Sequence, residues 1–116
     1  MTIRIVKDNI KKSELADMAR QGFGDLVKAV VDVEQGIMAV GGELHADEET
    51  ILTEQERSKR DYTWGVNLYP AKSAAEWIEF DSMINLKPSL GNRSRDVESR
   101  EAQSKIRAII KKLVVD

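Results

Sequence analysis

Apolar and polar side chains alternate over residues 2–6, which predicts a short strand with its two isoleucines on one side. Ser13 follows as a residue type that caps helix N-termini, and the apolar residues after it recur with helical spacing. Gly22 and Gly24 favour the end of that helix. The first part of the chain is therefore predicted to be a strand followed by a helix that begins at Ser13.

The segment 26–40 carries two competing patterns. Apolar residues at positions 27, 29, 31 and 33 alternate as in a strand, whereas a longer series matches the spacing of an amphipathic helix: Leu26, Val30, Val33, Ile37 and Val40. Asp25 is a suitable N-cap, and Gly41 a suitable C-terminal stop. Because the longer pattern has a signal at both ends, residues 26–40 are predicted to form a helix.

After Gly42 the apolar period changes to two. Residues 42–47 and 50–55 are predicted to form a hairpin, and Tyr62–Tyr69 a further strand that Pro70 closes. Ser73-Ala74-Ala75-Glu76 matches a capping box, which predicts a helical turn. Trp77–Lys87 alternates over the longest stretch and is predicted to be a strand that ends before Pro88.

The C-terminal part is predicted to be a loop over residues 88–96 and a helix over residues 99–114. The loop is rich in turn-forming residues. The helix carries an apolar stripe with basic residues opposite it; the stripe consists of Ala102, Ile106, Ile109 and Leu113. Lysines in its last turn suit the negative end of a helix dipole.

These elements together predict an α+β fold. Strands joined by short loops run antiparallel, and a sheet with one apolar face needs helices to cover it. The expected architecture is an antiparallel β-meander of four to five strands with two to three helices packed on one face. The length of 116 residues fits a single domain spanning 1–116.

Composition narrows the class of protein. Cysteine is absent, which excludes a disulfide framework, cysteine-ligated metals and thiol catalysis. No apolar run approaches the length of a membrane span, and the N-terminal alternation is unlike a signal peptide. Hydrophobic residues make up 41% and charged residues 33%, as in ordinary globular domains. The protein is expected to be cytoplasmic, with no membrane partner and no evident cofactor.

The charge is unevenly distributed along the chain. Residues 25–56 carry nine acidic side chains against one lysine, and residues 87–112 carry eight basic side chains against three acidic ones. Such asymmetry can steer an anionic partner or pair two copies head to tail, although solvated charged faces are the commoner case in small domains. The overall isoelectric point near 5.5 argues against a nucleic-acid-binding domain and leaves nucleic acid only weakly supported.

Strand alternation predicts one group of polar residues on an uncovered sheet face: Glu43, His45, Asp47, Asn67, Glu79 and Asn85. One imidazole beside several carboxylates can bind a divalent cation or form an acid–base pair, because a nearby carboxylate raises the pKa of histidine. The open side of any antiparallel sheet is also expected to be polar. No spacing matches an established metal or hydrolase motif, so catalytic and metal-binding residues stay unassigned.

A second candidate surface lies between the last predicted strand and the C-terminal helix. Its residues offer donors for an anion: Lys87, Asn92, Arg93, Ser94 and Arg95. Gly91 and Asn92 tolerate left-handed backbone geometry, which can turn successive N–H groups toward an anion. Arginine adds forked donors that suit phosphate or carboxylate. The loop lacks a P-loop pattern, so the prediction is anion binding without nucleotide hydrolysis.

Several segments together resemble a known group of sequences. They are Gly41-Gly42-Glu43-Leu44-His45-Ala46-Asp47, Trp64-Gly65-Val66-Asn67-Leu68-Tyr69-Pro70, Trp77-Ile78-Glu79, Ser82-Met83-Ile84-Asn85-Leu86-Lys87-Pro88 and Gly91-Asn92-Arg93-Ser94. The chain resembles, over nearly its whole length, an uncharacterised prokaryotic family of small single-domain proteins of unknown function. The resemblance implies no activity, cofactor or partner. Where a Gly-Ser turn is expected, this chain has Glu56-Arg57-Ser58-Lys59, which predicts a longer or looser loop.

Three functional hypotheses follow from the sequence. The first is a binding module that engages an anionic small molecule or protein partner through the Gly91–Arg95 loop. The second is a small metal-dependent enzyme that uses the open sheet face around His45, although the chain has no catalytic signature. The third is a structural or regulatory domain that pairs with another protein through its sheet edges or charged ends.

Overall fold

A computed structural model describes residues 2–116, and Met1 lies outside the described residues. Its strands are β1 (Arg4–Val6), β2 (Ile10–Lys11), β3 (Val27–Asp32), β4 (Ile37–Val40), β5 (Thr63–Leu68), β6 (Ile78–Glu79) and β7 (Val114–Val115). Its α-helices are α1 (Lys12–Gln21), α2 (His45–Glu56) and α3 (Arg100–Leu113). Short 3-10 helices cover Arg60–Tyr62, Met83–Asn85 and Pro88–Leu90. Within residues 2–116, no helix is both long and apolar enough to cross a membrane.

Five strands form one antiparallel sheet in the order β1-β4-β3-β5-β6. The strands β2 and β7 form a separate parallel pair that joins the start of α1 to the end of α3. The predicted α+β class, with a five-stranded antiparallel sheet and three helices, is therefore confirmed. The strand order differs from a simple meander, because β1 pairs with β4 instead of with the next strand of the sheet along the chain.

Helices cover both faces of the sheet, whereas the sequence predicted them on one face. The larger hydrophobic core lies on the side of α1 and α3, where Leu15 and Ile106 pack against Val31. The smaller core lies on the side of α2, where Leu52 packs against Val30 of the same strand. Because β3 is apolar on both sides, both of its faces can be buried.

The helix predicted for residues 26–40 is wrong, because this segment forms the β3–β4 hairpin. The side chain of Asp32 accepts hydrogen bonds from the backbone N–H groups of Glu34 (2.8 Å) and Gln35 (3.1 Å). Gly36 then turns the chain with φ of +71°. The strand-like alternation was therefore the correct pattern. Both strands are buried on both faces, so they carry apolar residues on both faces, and these residues together imitated the spacing of a helix.

The hairpin predicted for residues 42–47 and 50–55 is also wrong, because this segment contains helix α2. The buried residues of α2 are His45, Glu48, Glu49 and Leu52, at the spacing of one helix face. Three of these four are polar, so hydrophobic periodicity cannot reveal the buried face. The alternation of polar and apolar residues before position 48 instead imitated a strand.

The long strand predicted over Trp77–Lys87 is correct for only two residues, those of β6. Ser82 ends the extended region because its Oγ accepts a hydrogen bond from the backbone N–H of Ile84 and caps the 3-10 helix Met83–Asn85. The predicted loop over Glu56-Arg57-Ser58-Lys59 is tightly held instead of loose. Arg57 ends α2 with φ of +57°, and the Ser58 hydroxyl donates to the buried Asp32 carboxylate at 2.6 Å.

Other predicted elements are confirmed. The first strand, the helix after it and the strand that Pro70 follows are present as β1, α1 and β5. The predicted start at Ser13 is wrong, because α1 begins at Lys12 and no side chain caps its N-terminus. A single helical turn begins at Ser73, whose carbonyl accepts from the N–H of Trp77. The C-terminal helix is present as α3, and the Ser99 hydroxyl caps it by accepting from the N–H of Ala102 at 3.2 Å.

Candidate functional site

A cavity of about 200 Å³ opens where the start of α2 meets β3, β5 and the segment after β6. We call it the His45 cavity. Six polar residues line it: Lys28, His45, Asn67, Asp81, Ser82 and Arg95. His45 and Asn67 were predicted on the open sheet face and Arg95 in the anion-binding loop, so the fold brings members of both predicted surfaces to one place.

His45 is the first residue of α2 and is almost fully buried against β5. Its Nε2 lies 2.9 Å from the carbonyl oxygen of Val66. A carbonyl can only accept, so Nε2 carries the proton of the neutral ring. Burial lowers the pKa of His45, although its bond to Val66 opposes this change. The predicted rise of its pKa by neighbouring carboxylates is wrong, and Nδ1 is left as an acceptor at neutral pH.

Asn67 lies on β5 with 8% of its surface exposed. Its Nδ2 donates to Glu79 Oε1 at 2.8 Å and toward the carbonyl of Asp81 at 3.4 Å. Both partners are acceptors, which fixes the orientation of the amide. Its Oδ1 is buried and receives no hydrogen bond from any residue between 2 and 116. Asn67 therefore lines the cavity and also holds a buried acceptor without a partner among these residues.

Charged side chains border the cavity on two sides. Arg95 Nε donates to Asp81 Oδ1 at 2.6 Å, which positions the guanidinium group. Lys28 forms no ion pair with the described residues, and its Nζ lies 5.0 Å from the centre of the Phe23 ring. His45 is neutral, so Lys28 supplies one positive charge that the Arg95–Asp81 pair does not balance.

Because Gly65 has no side chain, β5 can lie close to Ser82 and His45 beside the cavity. A Cβ atom at this position would lie 2.5 Å from the Cβ and Oγ atoms of Ser82 and 3.1 Å from Cδ2 of His45. Asn85, fully buried, holds the same stretch of backbone by accepting from Gly65 N–H at 2.8 Å and donating to its carbonyl at 3.0 Å. Asn85 therefore holds the backbone of β5 beside the cavity but does not line the cavity itself.

The remaining members of the predicted open-face cluster do not come together. Glu43 precedes α2, is exposed and lines a different cavity beside Phe23. Asp47 is exposed on α2, because residues two positions apart on a helix point in different directions. Glu79 contacts Asn67 but does not line the cavity. Among residues 2–116, no group of three His, Asp or Glu side chains is arranged to hold a metal ion.

Two donors of the Gly91–Arg95 loop bind an anion of the same chain, the carboxylate of Glu98. Its Oε2 accepts from the Ser94 hydroxyl at 2.7 Å and from the Arg93 N–H at 3.0 Å. These bonds, that of Ser94 first, lower the pKa of Glu98. The Arg93 N–H and the Ser94 hydroxyl thus contact a carboxylate that lies a few residues further along the chain. Binding of an external anion at this loop stays a prediction of the sequence.

Two other residues of the predicted loop site serve the fold. Asn92 is buried and donates to the carbonyls of Asn85 and Asp96, each at 2.7 Å, while its Oδ1 accepts from Glu98 N–H. Lys87 is also buried, and its Nζ donates to the carbonyl of Ile84 at 3.1 Å. Burial lowers the pKa of Lys87.

Sequence reasoning missed Lys28 as a residue of the site. The prediction of a helix over residues 26–40 hid its place in β3, directly opposite Asn67 of β5. The alternation of residues 27, 29, 31 and 33 was the signal that would have placed Lys28 on the opposite side of the sheet from these apolar residues.

The family model described as "Protein of unknown function (DUF5674)" matches residues 4–113. This match covers nearly the whole chain and confirms the resemblance to a family of unknown function. No curated protein has a significant match to the chain, and no solved structure has one.

Proposed function

The chain belongs to the DUF5674 family of unknown function, and from its own geometry we propose that it is a small-molecule binding module. The His45 cavity binds a small organic anion that also carries a hydrogen-bond donor. This proposal keeps the anionic ligand predicted from the sequence but moves it from the Gly91–Arg95 loop to the cavity, where Arg95 still takes part. A cytoplasmic location stays a prediction of the sequence.

The unpaired Oδ1 of Asn67 is the observation that carries the proposal. A buried acceptor without a donor costs about 1–3 kcal/mol, and a ligand that donates a hydrogen bond to it would recover that cost. His45 also lines the cavity, and its Nδ1 is a second acceptor because its other ring nitrogen is bound to Val66. Two acceptors favour a ligand with an O–H or N–H group.

The charges at the cavity support an anionic group on the same ligand. Lys28 has no carboxylate partner among residues 2–116, and Asp81 engages only Nε of the Arg95 guanidinium. The remaining N–H groups of Arg95 suit a carboxylate or phosphate. A volume of about 200 Å³ lies below the range typical of drug-sized ligands. A small hydroxy acid therefore has the right size and chemistry.

A nuclear magnetic resonance titration with glycolate tests the proposal, and acetate serves as the comparator that lacks the hydroxyl donor. We expect glycolate to shift the backbone amide signals of Lys28, His45 and Asn67 in a saturable manner. Acetate should bind about two- to tenfold more weakly, which corresponds to one lost hydrogen bond. Lys28→Gln should weaken glycolate binding about two- to fivefold, as expected for an exposed ionic contact.

Lys59→Gln provides the matched control. Lys59 is an exposed lysine beyond the C-terminal end of α2, whereas the cavity lies at the other end of that 12-residue helix. This variant should bind glycolate as the original chain does. The proposal is rejected if glycolate leaves the three amide signals unmoved, or if Lys59→Gln weakens binding as much as Lys28→Gln.

A further inference from the structure

A second cavity, of about 380 Å³, lies between the start of α1, strand β6 and the last turns of α3. We call it the Trp77 groove. Its apolar wall consists of Trp77, Ile78 and Val114, and its basic wall consists of Lys12, Arg107 and Lys111. The groove shares no lining residue with the His45 cavity and contains no member of the two candidate surfaces predicted from the sequence, the open-face cluster and the Gly91–Arg95 loop site.

Two of the three cations are positioned by aromatic rings. Lys12 Nζ lies 5.2 Å from the centre of the Trp77 ring, and Arg107 Cζ lies 4.9 Å from the centre of the Phe80 ring. Both distances are within the range of a cation–π contact. Arg107 and Lys111 are four residues apart on α3 and therefore project from the same side of the helix.

The groove is positively charged because its cations are not neutralised by neighbours. Lys12, Arg107 and Lys111 form no ion pair with any described residue. Asp116 is the one acidic side chain that lines the groove. Three positive charges therefore face one negative side chain, next to the wall formed by Trp77, Ile78 and Val114.

We propose that the Trp77 groove binds an amphiphilic organic anion, a phosphate or carboxylate attached to an apolar body. The cations meet the anionic group, and Trp77, Ile78 and Val114 meet the apolar body. Ligand sites of this size are typically mostly apolar with a few charged groups that fix orientation. A charged group alone would leave the apolar wall unused, and an apolar molecule alone would leave the three cations unused.

Phenyl phosphate is the probe, with inorganic phosphate and phenol as its separate halves. The two tryptophan indole N–H signals provide an internal comparison, because Trp77 lines the groove and Trp64 does not. We expect phenyl phosphate to shift the Trp77 signal in a saturable manner and to leave the Trp64 signal in place. Each half should bind at least about tenfold more weakly, since it lacks either the charge or the apolar contact. Octyl phosphate tests whether an alkyl body is accepted in place of a ring.

Lys111→Gln and Lys112→Gln form a matched pair of variants on the same helix turn. Lys111 lines the groove, whereas Lys112 is exposed and does not line it. Lys111→Gln should weaken phenyl phosphate binding about two- to fivefold, and Lys112→Gln should leave it unchanged. Equal effects of the two variants would overturn the proposal, as would inorganic phosphate binding as tightly as phenyl phosphate or the absence of a Trp77 shift with both organic phosphates.

Discussion

Glu48 is a fully buried carboxyl group on the inward side of α2. Its Oε2 accepts from the N–H of Gly42 at 3.0 Å, and its Oε1 has no partner among residues 2–116. Burial raises the pKa of Glu48 well above the ordinary value of 4.5, although the Gly42 bond opposes the shift. The protonated form is therefore the one that fits this position, because it places no charge in the core.

Stability should fall as the pH rises because of Glu48. A carboxyl group with a raised pKa in the folded state contributes stability that is fully present below its unfolded pKa and is lost as the pH rises through its folded pKa. The effect begins near pH 4.5 and grows toward higher pH. Glu48→Gln keeps an acceptor for Gly42 and cannot ionise. It should therefore stabilise the protein relative to the original chain increasingly as the pH is raised.

Urea unfolding at about pH 5 and about pH 8 measures this difference. Glu54→Gln is the control, because Glu54 is an exposed residue of the same helix. If the free-energy difference between Glu48→Gln and the original chain does not change with pH, Glu48 does not have the raised pKa described here.

At the scale of single elements, α3 depends on its N-terminal cap. The Ser99 hydroxyl accepts from the N–H of Ala102, which would otherwise lack a partner in the first turn. Ser99→Ala should lower the free energy of unfolding by about 1 kcal/mol. Thermal and urea unfolding measure this change. Ser104→Ala, at an exposed position inside the same helix, should leave stability equal or slightly higher, since alanine is the better helix former.

The elements that sequence reasoning predicted well have an apolar buried face and a capping residue or a proline at one end. Helix α3 has an apolar stripe and Ser99, and β5 is closed by Pro70. Helix α2 was not predicted, because three polar residues, His45, Glu48 and Glu49, occupy its buried face together with Leu52. These three side chains form hydrogen bonds to Val66, Gly42 and Thr63, which all lie outside the helix.

The candidate site was predictable only in part for a related reason. His45, Asn67 and Arg95 were identified by residue type, but the sequence did not determine that they converge, because convergence depends on strand order and on α2 being a helix. The Gly91–Arg95 loop was predicted to bind an external anion, and in the structure two of its donors bind a carboxylate of the same chain. The identity of that anion, Glu98, could not be derived from the loop residues alone.

At the scale of the whole molecule, one sheet joins two hydrophobic cores. Neighbouring residues of β3, Val30 and Val31, belong to different cores, so disruption of either core should unfold the sheet that both share. Leu52→Ala truncates the largest fully buried side chain of the α2 core and should cost about 2–5 kcal/mol. Unfolding should nevertheless remain a single transition.

Tryptophan fluorescence and circular dichroism together measure this cooperativity. Both tryptophans belong to the core opposite Leu52, so their signal should move to lower urea concentration together with the loss of secondary structure. Leu90→Ala, which truncates a leucine that is 50% exposed, should have little effect. Separate transitions for the two signals in Leu52→Ala would mean that the two cores unfold independently.

The contact between Glu98 and the Gly91–Arg95 loop has a consequence for competition among anions. Because Glu98 is only a few residues from the donors it binds, its carboxylate is present at an effective concentration of about millimolar or more. Dilution does not remove it, and a dissolved anion of equal intrinsic affinity must exceed that concentration to displace it. The loop therefore excludes weakly binding dissolved anions, because the Glu98 carboxylate that competes with them is attached to the same chain.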